Sequence, residues 1–527
     1  MLILPIEPTD DLADPIFKDA EGCRLWLGQL QLTHLQIAHS QLLYQITELN
    51  RYPMSGLERL KTLELLRETV GFVQEDYARK LIDKPLPLND DEITIFMSIV
   101  QLWQAMLKGY QRCLQFYIRG EKELASQGAL LCQRCLCYCG LEIFEYLSTR
   151  YEFSPSLWRQ MHELYAYAEQ NDLQRTEVEE LDHKTSCTAT YVKTLLSCHA
   201  HPAELSRWQL QQMNRWLATW SASISLAKSY RLNRGEAEPL AVDLSGETGL
   251  LRADEVLHKD SMRYMDMAPM SKLLRVKTIL MQQGQTPQQV GLGEQYDSHA
   301  CHELLILLHQ SWCENRHKRL GQRKKISRAV KLVCMMDGIH AHLSQKGRKP
   351  SRLDKLAIAQ IATMGHVPDS GLPVPESDHP LENWVIENEN IMGACIVRTD
   401  EGGLRFKTRQ LVALKSSRSP FMLGSVAWMT VTREGRLQMG IKYIPGQPVP
   451  VRISAAGVNL AKAEALAFLM PALPSVRTPA SLILPRGWFQ PGLAIEMRQP
   501  NDEFTMLQLG FSVERGLDFE RVSFTPA

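Results

Sequence analysis

The sequence predicts a multidomain α+β protein: an all-α N-terminal region, a mixed middle region, and a C-terminal antiparallel β-barrel with a β-rich extension. Three observations predict this. Up to about residue 200, apolar residues recur at three- and four-residue spacing in segment after segment, the period of amphipathic helices. Past Tyr230 the composition shifts to a strand-like run closed by glycines. From Ala329 onward, short runs rich in Val, Ile and Leu alternate with glycine turns at close intervals, the pattern of a small barrel.

The helical region is punctuated by its own breakers. Cys23 to Leu30, Thr33 to Asn50, Gly56 to Leu81, Asp91 to Arg119 and Glu121 to Thr149 read as helices, separated by Pro53, the Asp83–Asn89 run and Gly120. Asn89, Asp90 and Asp91 are N-cap types ahead of Ile93-Thr-Ile-Phe96, and Ser154-Pro155 opens another helix in the same way. Pro202 to Tyr230 reads as one long helix on which Trp208, Trp216 and Trp220 partly share a face. In the middle region, Glu236 to Asp243 reads as a strand ending in the Ser245–Gly249 turn, followed by helices from Ser271 to Gln283 and from Ser298 to Arg316. The predicted barrel strands are Ala329–Cys334, Ala394–Arg398, Gln410–Leu414, Leu423–Val431 and Leu437–Ile444. The tail repeats the pattern more loosely around Ser481, Leu493 and Phe511. The chain thus divides into a helical interaction domain (1–200), a mixed domain (201–315), a barrel (316–455) with an insertion near 345–380, and a β-rich extension (456–527). Leu353 to Ala362 is a short predicted helix in that insertion.

Composition narrows the function classes. With 44% hydrophobic and 22% charged residues among 527, the chain can bury full cores. Lys plus Arg and Asp plus Glu both total 59, so net charge makes no case for a nucleic-acid or acidic-membrane partner. The N-terminus lacks the basic and apolar regions of a secretory signal, and no run approaches the roughly 18 apolar residues that would span a bilayer. Twelve cysteines without framework spacing suit reduced thiols. The expected location is the cytoplasm.

Several residue clusters invite a chemical reading. Cys132-Gln-Arg-Cys135-Leu-Cys137-Tyr-Cys139 has thiols one helical turn apart, but no second pair at ligand spacing follows, so buried core is the better reading. His199-Ala-His201 and His340-Ala-His342 would share a face only on strands, and neither is tied to a third ligand. Met262, Met265, Met267 and Met270 suit adaptable packing. No GxxxxGK[ST], HExxH or GxSxG motif is present; the chain is read as a non-enzyme without metal or cofactor.

One constellation points at specific chemistry. Arg316 to Arg328 holds seven Lys or Arg residues and no acid, with Arg323, Lys324, Lys325 and Arg328 at its end. Trp384 to Ala394 reads as a short strand breaking into a polar turn with Asn388, Asn390 and Gly393. Guanidinium groups meet phosphate or a guanine edge through two parallel bonds, amides bring donors and acceptors, and glycine permits close backbone approach. Together they suit a planar, anionic ligand. A nucleic-acid reading of the same basic run predicts steep salt dependence and no nucleotide selectivity, and is set behind.

The order of elements sharpens this. A basic loop, a strand, a polar turn ending in glycine, the Gly424-Ser-Val-Ala-Trp428 strand and Gly440-Ile-Lys-Tyr443 together resemble the PilZ domain. That family is a six-stranded antiparallel barrel that binds cyclic di-GMP through an Arg-x-x-x-Arg loop and an Asp/Asn-x-Ser-x-x-Gly turn. Here the first signature falls on Lys324 to Arg328 with Arg323 just ahead, and the second on Asn388-Glu-Asn390-Ile-Met-Gly393. Lysine stands at the first signature arginine, asparagine at the serine, and the gap between the motifs is lengthened by the insertion. The whole chain also looks like a group of large bacterial PilZ-containing proteins with helical N-termini. A fainter echo, Arg231-Leu-Asn-Arg234 before Asp243-Leu-Ser245, allows a degenerate second barrel in the middle region.

The resemblance implies a cyclic di-GMP receptor. Arg323 and Arg328 would grip phosphate and guanine, Lys324 would add charge, Asn388 and Asn390 would read the guanine edge, and Gly393 would close the turn. The N-terminal helices would meet protein partners not identifiable from sequence. The alternative is an adaptor that uses the barrel for protein contacts alone.

Overall fold

A computed structural model describes residues 2, 4, 6–180, 183–231, 237–294, 296–314, 324–344, 379–416, 420–455, 464–474 and 478–527. The predicted helix at Leu353–Ala362, Arg323, and the basic run before it (residues 316–322) lie outside the described residues. The chain forms two compact units: Met1–Lys84 with Leu88–Arg319, and Pro85–Pro87 with Leu320–Ala527.

The first unit holds ten helices among its described residues: α1 (Ala20–Leu27), α2 (Leu35–Arg51), α3 (Gly56–Ala78), α4 (Asp90–Ile118), α5 (Gly128–Thr149), α6 (Pro155–Gln170), α7 (Cys187–His199), α8 (Arg207–Trp220), α9 (Ala268–Gln282) and α10 (Ser298–Trp312). Helix α4 starts where the sequence signals it. The Asn89 side chain accepts from the Glu92 N–H, and the Glu92 carboxylate accepts from the Asn89 N–H, satisfying two donors that the first turn leaves open. Its apolar face, with Phe96, Ile99, Trp103, Met106, Tyr110 and Cys113, is buried against α2, α3 and α5. At the end of α2, fully buried Arg59 donates to the carbonyls of Leu49 (2.6 Å) and Tyr52 (2.7 Å), where the helix leaves acceptors unpaired.

A short antiparallel ladder, β1 (Val178–Glu179) with β2 (Lys184–Thr185), is tied to these helices by charge. Arg134 on α5 meets both oxygens of Glu64 at 2.9 Å, Glu180 at 3.0 Å and the Glu179 carbonyl at 3.0 Å, while Arg67 pairs with Glu180. With Arg134 only 3% exposed, this fork geometry compensates the desolvation of its charge.

The predicted helix from Pro202 to Tyr230 is shorter than its apolar pattern. Ser206 and Gln209 form a capping box that starts α8 at Arg207, and after Trp220 the chain turns into β3 (Leu226–Ala227). Strands β4 (Leu240–Asp243), β5 (Leu251–Arg252) and β6 (Met262–Met265) join β3 in a four-stranded antiparallel sheet of order β3-β6-β4-β5. Among the described residues this sheet is open, and the Asp243–Ser245 half of the echo is a strand end and a turn; residues 232–234 of the other half lie outside the described residues. The Asp243 carboxylate accepts from the N–H and hydroxyl of Ser245, which builds a local turn and holds its acidity stronger than usual.

The second unit contains two closed six-stranded antiparallel barrels. The first is built from β7 (Lys324–Cys334), β8 (Glu382–Asn390), β9 (Gly393–Arg398), β10 (Leu411–Ser416), β11 (Met422–Val431) and β12 (Leu437–Tyr443), in closing order β10-β11-β12-β9-β8-β7. The second uses β13 (Val449–Ala455), β14 (Glu464–Met470), β15 (Ser481–Pro485), β16 (Ala494–Arg498), β17 (Phe504–Arg515) and β18 (Phe519–Pro526), in order β13-β14-β15-β18-β17-β16. Counting strands from the start of each barrel, both close as first-second-third-sixth-fifth-fourth, so one topology occurs twice. The β-rich extension is therefore a barrel in its own right. Its first strand, β13, precedes the sequence-based boundary at 455.

The two barrels share a core. Val333, Leu411, Ala413, Phe421 and Leu423 of the first pack with Phe468, Met470, Ile483 and Phe519 of the second. Helix α11 (Met336–Ser344) adds Ile339 to this layer, while Val451, Leu482, Ile495, Leu507 and Val522 fill the second barrel. Polar bonds fix the register between barrels: Leu411 N–H to Asp518 (2.9 Å) and Leu517 N–H to the Arg409 carbonyl (2.7 Å). In the first barrel, Trp384 packs edge-on to Phe406, and Arg398, 4% exposed, lies over both rings while pairing with Glu382.

Candidate functional site

The basic stretch is strand rather than loop where it is described. Lys324 to Arg328 open β7, and Lys324 and Lys325 pair with Glu389 and Asn388 of β8. A bulge lies between Lys325 and Arg328, where Ile326 and Ser327 oppose Glu387 alone. The charged stretch can be strand because its side chains are largely exposed at this end of the ladder. Likewise β8 runs through Asn390, and the polar turn to β9 shrinks to Ile391 and Met392.

Arg328, 44% exposed, is the cation that the fold positions most firmly. Its Nη2 lies 2.5 Å from Glu389 Oε2, and the other Glu389 oxygen accepts the Tyr443 hydroxyl at 2.6 Å. Burial, together with this bond to a carboxylate, pushes the Tyr443 phenol well above its usual range, so it stays a donor. Lys324 and Lys325 are exposed beside it.

The turn is built by Asn390 and Gly393. Asn390 Oδ1 accepts the N–H groups of Met392 and Gly393, both at 3.0 Å, which commits its carbonyl oxygen to the turn. The Met392 carbonyl accepts from Tyr443 N–H at 2.9 Å, fastening the turn to β12. Gly393 serves close approach: a methyl group there would overlap the Ile441 carbonyl oxygen and stand 3.2 Å from its carbon. Ile391 and Met392 project into solvent at the tip. Asn388, half-buried, faces Lys325 on one side and Cys395 on the other in the strand register.

Of the sequence-derived site residues, the structure thus brings Lys324, Arg328, Asn388, Asn390 and Gly393 to one end of the first barrel. Arg323 lies outside the described residues. Glu389 and Tyr443 were assigned no role from sequence. The available signal was a carboxylate between the two asparagines, opposite a basic strand.

The other clusters fall elsewhere. Cys132, Cys135 and Cys139 are buried on α5, and burial pushes the Cys132 thiol up to about 12. His340 and His342 lie on α11, not on a strand, and a two-residue step on a helix turns them to different faces. His342 meets the His379 carbonyl (2.9 Å), while His340 meets the Ser344 hydroxyl (3.2 Å). His199 ends α7, and His201 follows in a left-handed conformation. All four methionines of the 262–270 cluster are buried in the first unit. Among the described residues, no group of three or more His, Cys, Asp or Glu is arranged to hold a metal ion, and no helix is long and apolar enough to cross a membrane.

Comparison with known proteins adds a second line. The family described as "Cyclic-di-GMP receptor FimW, N-terminal domain" matches residues 21–230, and "FimW C-terminal beta-barrel domain" matches residues 461–527. Both ends of the chain match FimW domains. The cyclic-di-GMP receptor FimW of Pseudomonas aeruginosa is 22% identical in an alignment covering 94% of this chain and 89% of that protein. The C-terminal FimW match falls on the second barrel, from before β14 to the end of the chain. Residues 231–460, which include the first barrel and its Arg328–Gly393 site, lie between the two FimW domain matches.

Proposed function

We propose that this protein is a non-enzymatic cyclic di-GMP receptor whose ligand site is the end of the first barrel where β7 begins and β8 turns into β9. The observation that carries this reading is the similarity to the receptor FimW along 94% of the chain. It is supported by the placement of Lys324, Lys325, Arg328, Asn388 and the Asn390–Gly393 turn at one end of the first barrel. In this reading Arg328 meets a phosphate or a guanine edge, with Arg323 and Lys324 adding positive charge. Asn388 reads the guanine edge. Asn390 contributes chiefly by shaping the turn, because its carbonyl oxygen is already engaged. No cofactor is required. The receptor works in the cytoplasm, and ligand binding changes how the protein meets partners through its helical unit. That coupling requires the ligand to favour one arrangement over another.

A second reading, an adaptor that binds no nucleotide, is favoured by the ion pair that already engages Arg328. Calorimetric titration of the full chain with cyclic di-GMP separates the two, with GTP and RNA as controls. The receptor reading expects saturable binding of the cyclic dinucleotide alone, weakened roughly 10- to 150-fold by Arg328→Ala, the value of a hydrogen bond to a charged group. Absence of heat and of any thermal shift with excess ligand would leave the adaptor.

A further inference from the structure

We infer that Glu389 sets the anion affinity of the first-barrel site by holding Arg328 in the unliganded protein; the inference rests on the receptor reading above. The carboxylate stands where a phosphate oxygen would be expected to meet this arginine, 2.5 Å from Nη2. It is held there from both sides, because its second oxygen accepts the Tyr443 hydroxyl at 2.6 Å. Its backbone is fixed as well. Glu389 lies within β8, paired to Lys324 on one side and Ala394 on the other. The adjoining turn is fastened to β12 and closed by a glycine that leaves no room for a side chain.

The energetic consequence follows from exchange. A ligand phosphate that meets Arg328 replaces one charge-assisted bond by another, so the net gain is smaller than for a free guanidinium. If the carboxylate stays, it opposes the ligand's charge from a few ångströms away. Either way Glu389 weakens anion binding. It also makes the site selective, since a single phosphate gains too little to displace the pair, whereas a ligand with a further contact to Lys324, cross-strand partner of Glu389, can.

The test compares the full-length protein with Glu389→Gln, which keeps the side-chain length and an acceptor for Tyr443 but removes the charge. Cyclic di-GMP titrated by calorimetry is expected to bind the variant about tenfold more tightly or better. Glu389→Met, neutral and of similar length, provides the same comparison if the glutamine variant folds poorly. The double variant Glu389→Gln/Arg328→Ala is expected to lose the gain. Equal or weaker binding by the neutral variants would overturn the inference and make Glu389 a residue that only orients Arg328. If neither the native protein nor the variants take up cyclic di-GMP, the receptor reading fails. Inorganic pyrophosphate, followed by phosphorus NMR, then decides separately. Tighter uptake by Glu389→Gln than by the native protein supports the role of Glu389, and equal uptake overturns it.

Discussion

Replacing Gly393 with alanine tests whether the turn is shaped by close packing or only by backbone freedom. The added methyl group would overlap the Ile441 carbonyl oxygen, with the Ile441 carbon 3.2 Å and the Lys442 Cα 3.4 Å away. All three atoms are backbone of β12, so no rotamer change relieves the overlap. Strands β9 and β12 must separate where Gly393 pairs with Lys442, next to the bond between Tyr443 N–H and the Met392 carbonyl. Overpacking of about 2 kcal/mol and the loss of about one hydrogen bond put the cost at roughly 3 kcal/mol. Gly402→Ala is the control. Its backbone is left-handed at φ +81° with nothing near the new methyl, so it costs about 1 kcal/mol from conformation alone. Amide hydrogen exchange of the full chain, read by mass spectrometry on peptides from β9 and β12, avoids any assumption of two-state unfolding. Exchange there is expected to accelerate on the order of a hundredfold in Gly393→Ala and far less in Gly402→Ala. Equal behaviour of the two variants would refute the packing argument.

Three further outcomes follow from the helical unit. Arg134→Ala removes a partner that is 3% exposed from the carboxylates of Glu64 and Glu180, which keep Arg67, and is expected to cost about 1.5–3 kcal/mol, read as faster exchange in α5 and around Glu179. Burial pushes the Glu142 carboxyl up to about 7, against a smaller opposing bond from Gln104, so the folded state holds a proton that the unfolded chain releases. This stabilisation is complete below the ordinary glutamate value of 4.5 and is lost as pH rises through about 7. Glu142→Gln should therefore melt higher than the native protein at pH 8, by up to about 3 kcal/mol, with the gap closing towards pH 4. Gly71→Ala, inside α3 with open space around the new methyl, should stabilise by about 0.5–1 kcal/mol in thermal melts.

The parts legible in sequence are those whose cause is local. The capping residues at Asn89 and Ser154 and the apolar stripe of α4 announce themselves through residue type and period. The strands β10 to β12 are compact apolar runs, and the motif positions Arg328, Asn388 and Gly393 lie at one end of the same barrel. What escaped the sequence depends on partners distant along the chain. The apolar pattern after Trp220 continues a helical period, but pairing with β6 makes that segment strand β3. His340 and His342 lie on a helix because Ile339 is buried in the core shared by the two barrels. The second barrel was visible only as scattered strands, since β13 carries Pro450 and β17 exposes Phe504, Met506 and Phe511 instead of alternating cleanly. The role of Glu389 needs the register that sets β7 beside β8 and brings Tyr443 from β12, which no spacing along the chain reveals.

The most direct test of the account is hydrogen exchange of the full-length protein with and without saturating cyclic di-GMP. The receptor reading predicts slowed exchange in peptides covering residues 324–331 and 386–394, and little change in β15 and β18 of the second barrel. Protection confined to the second barrel or the helical unit, or no change anywhere at saturating ligand, would contradict a nucleotide site at the Arg328–Gly393 end of the first barrel.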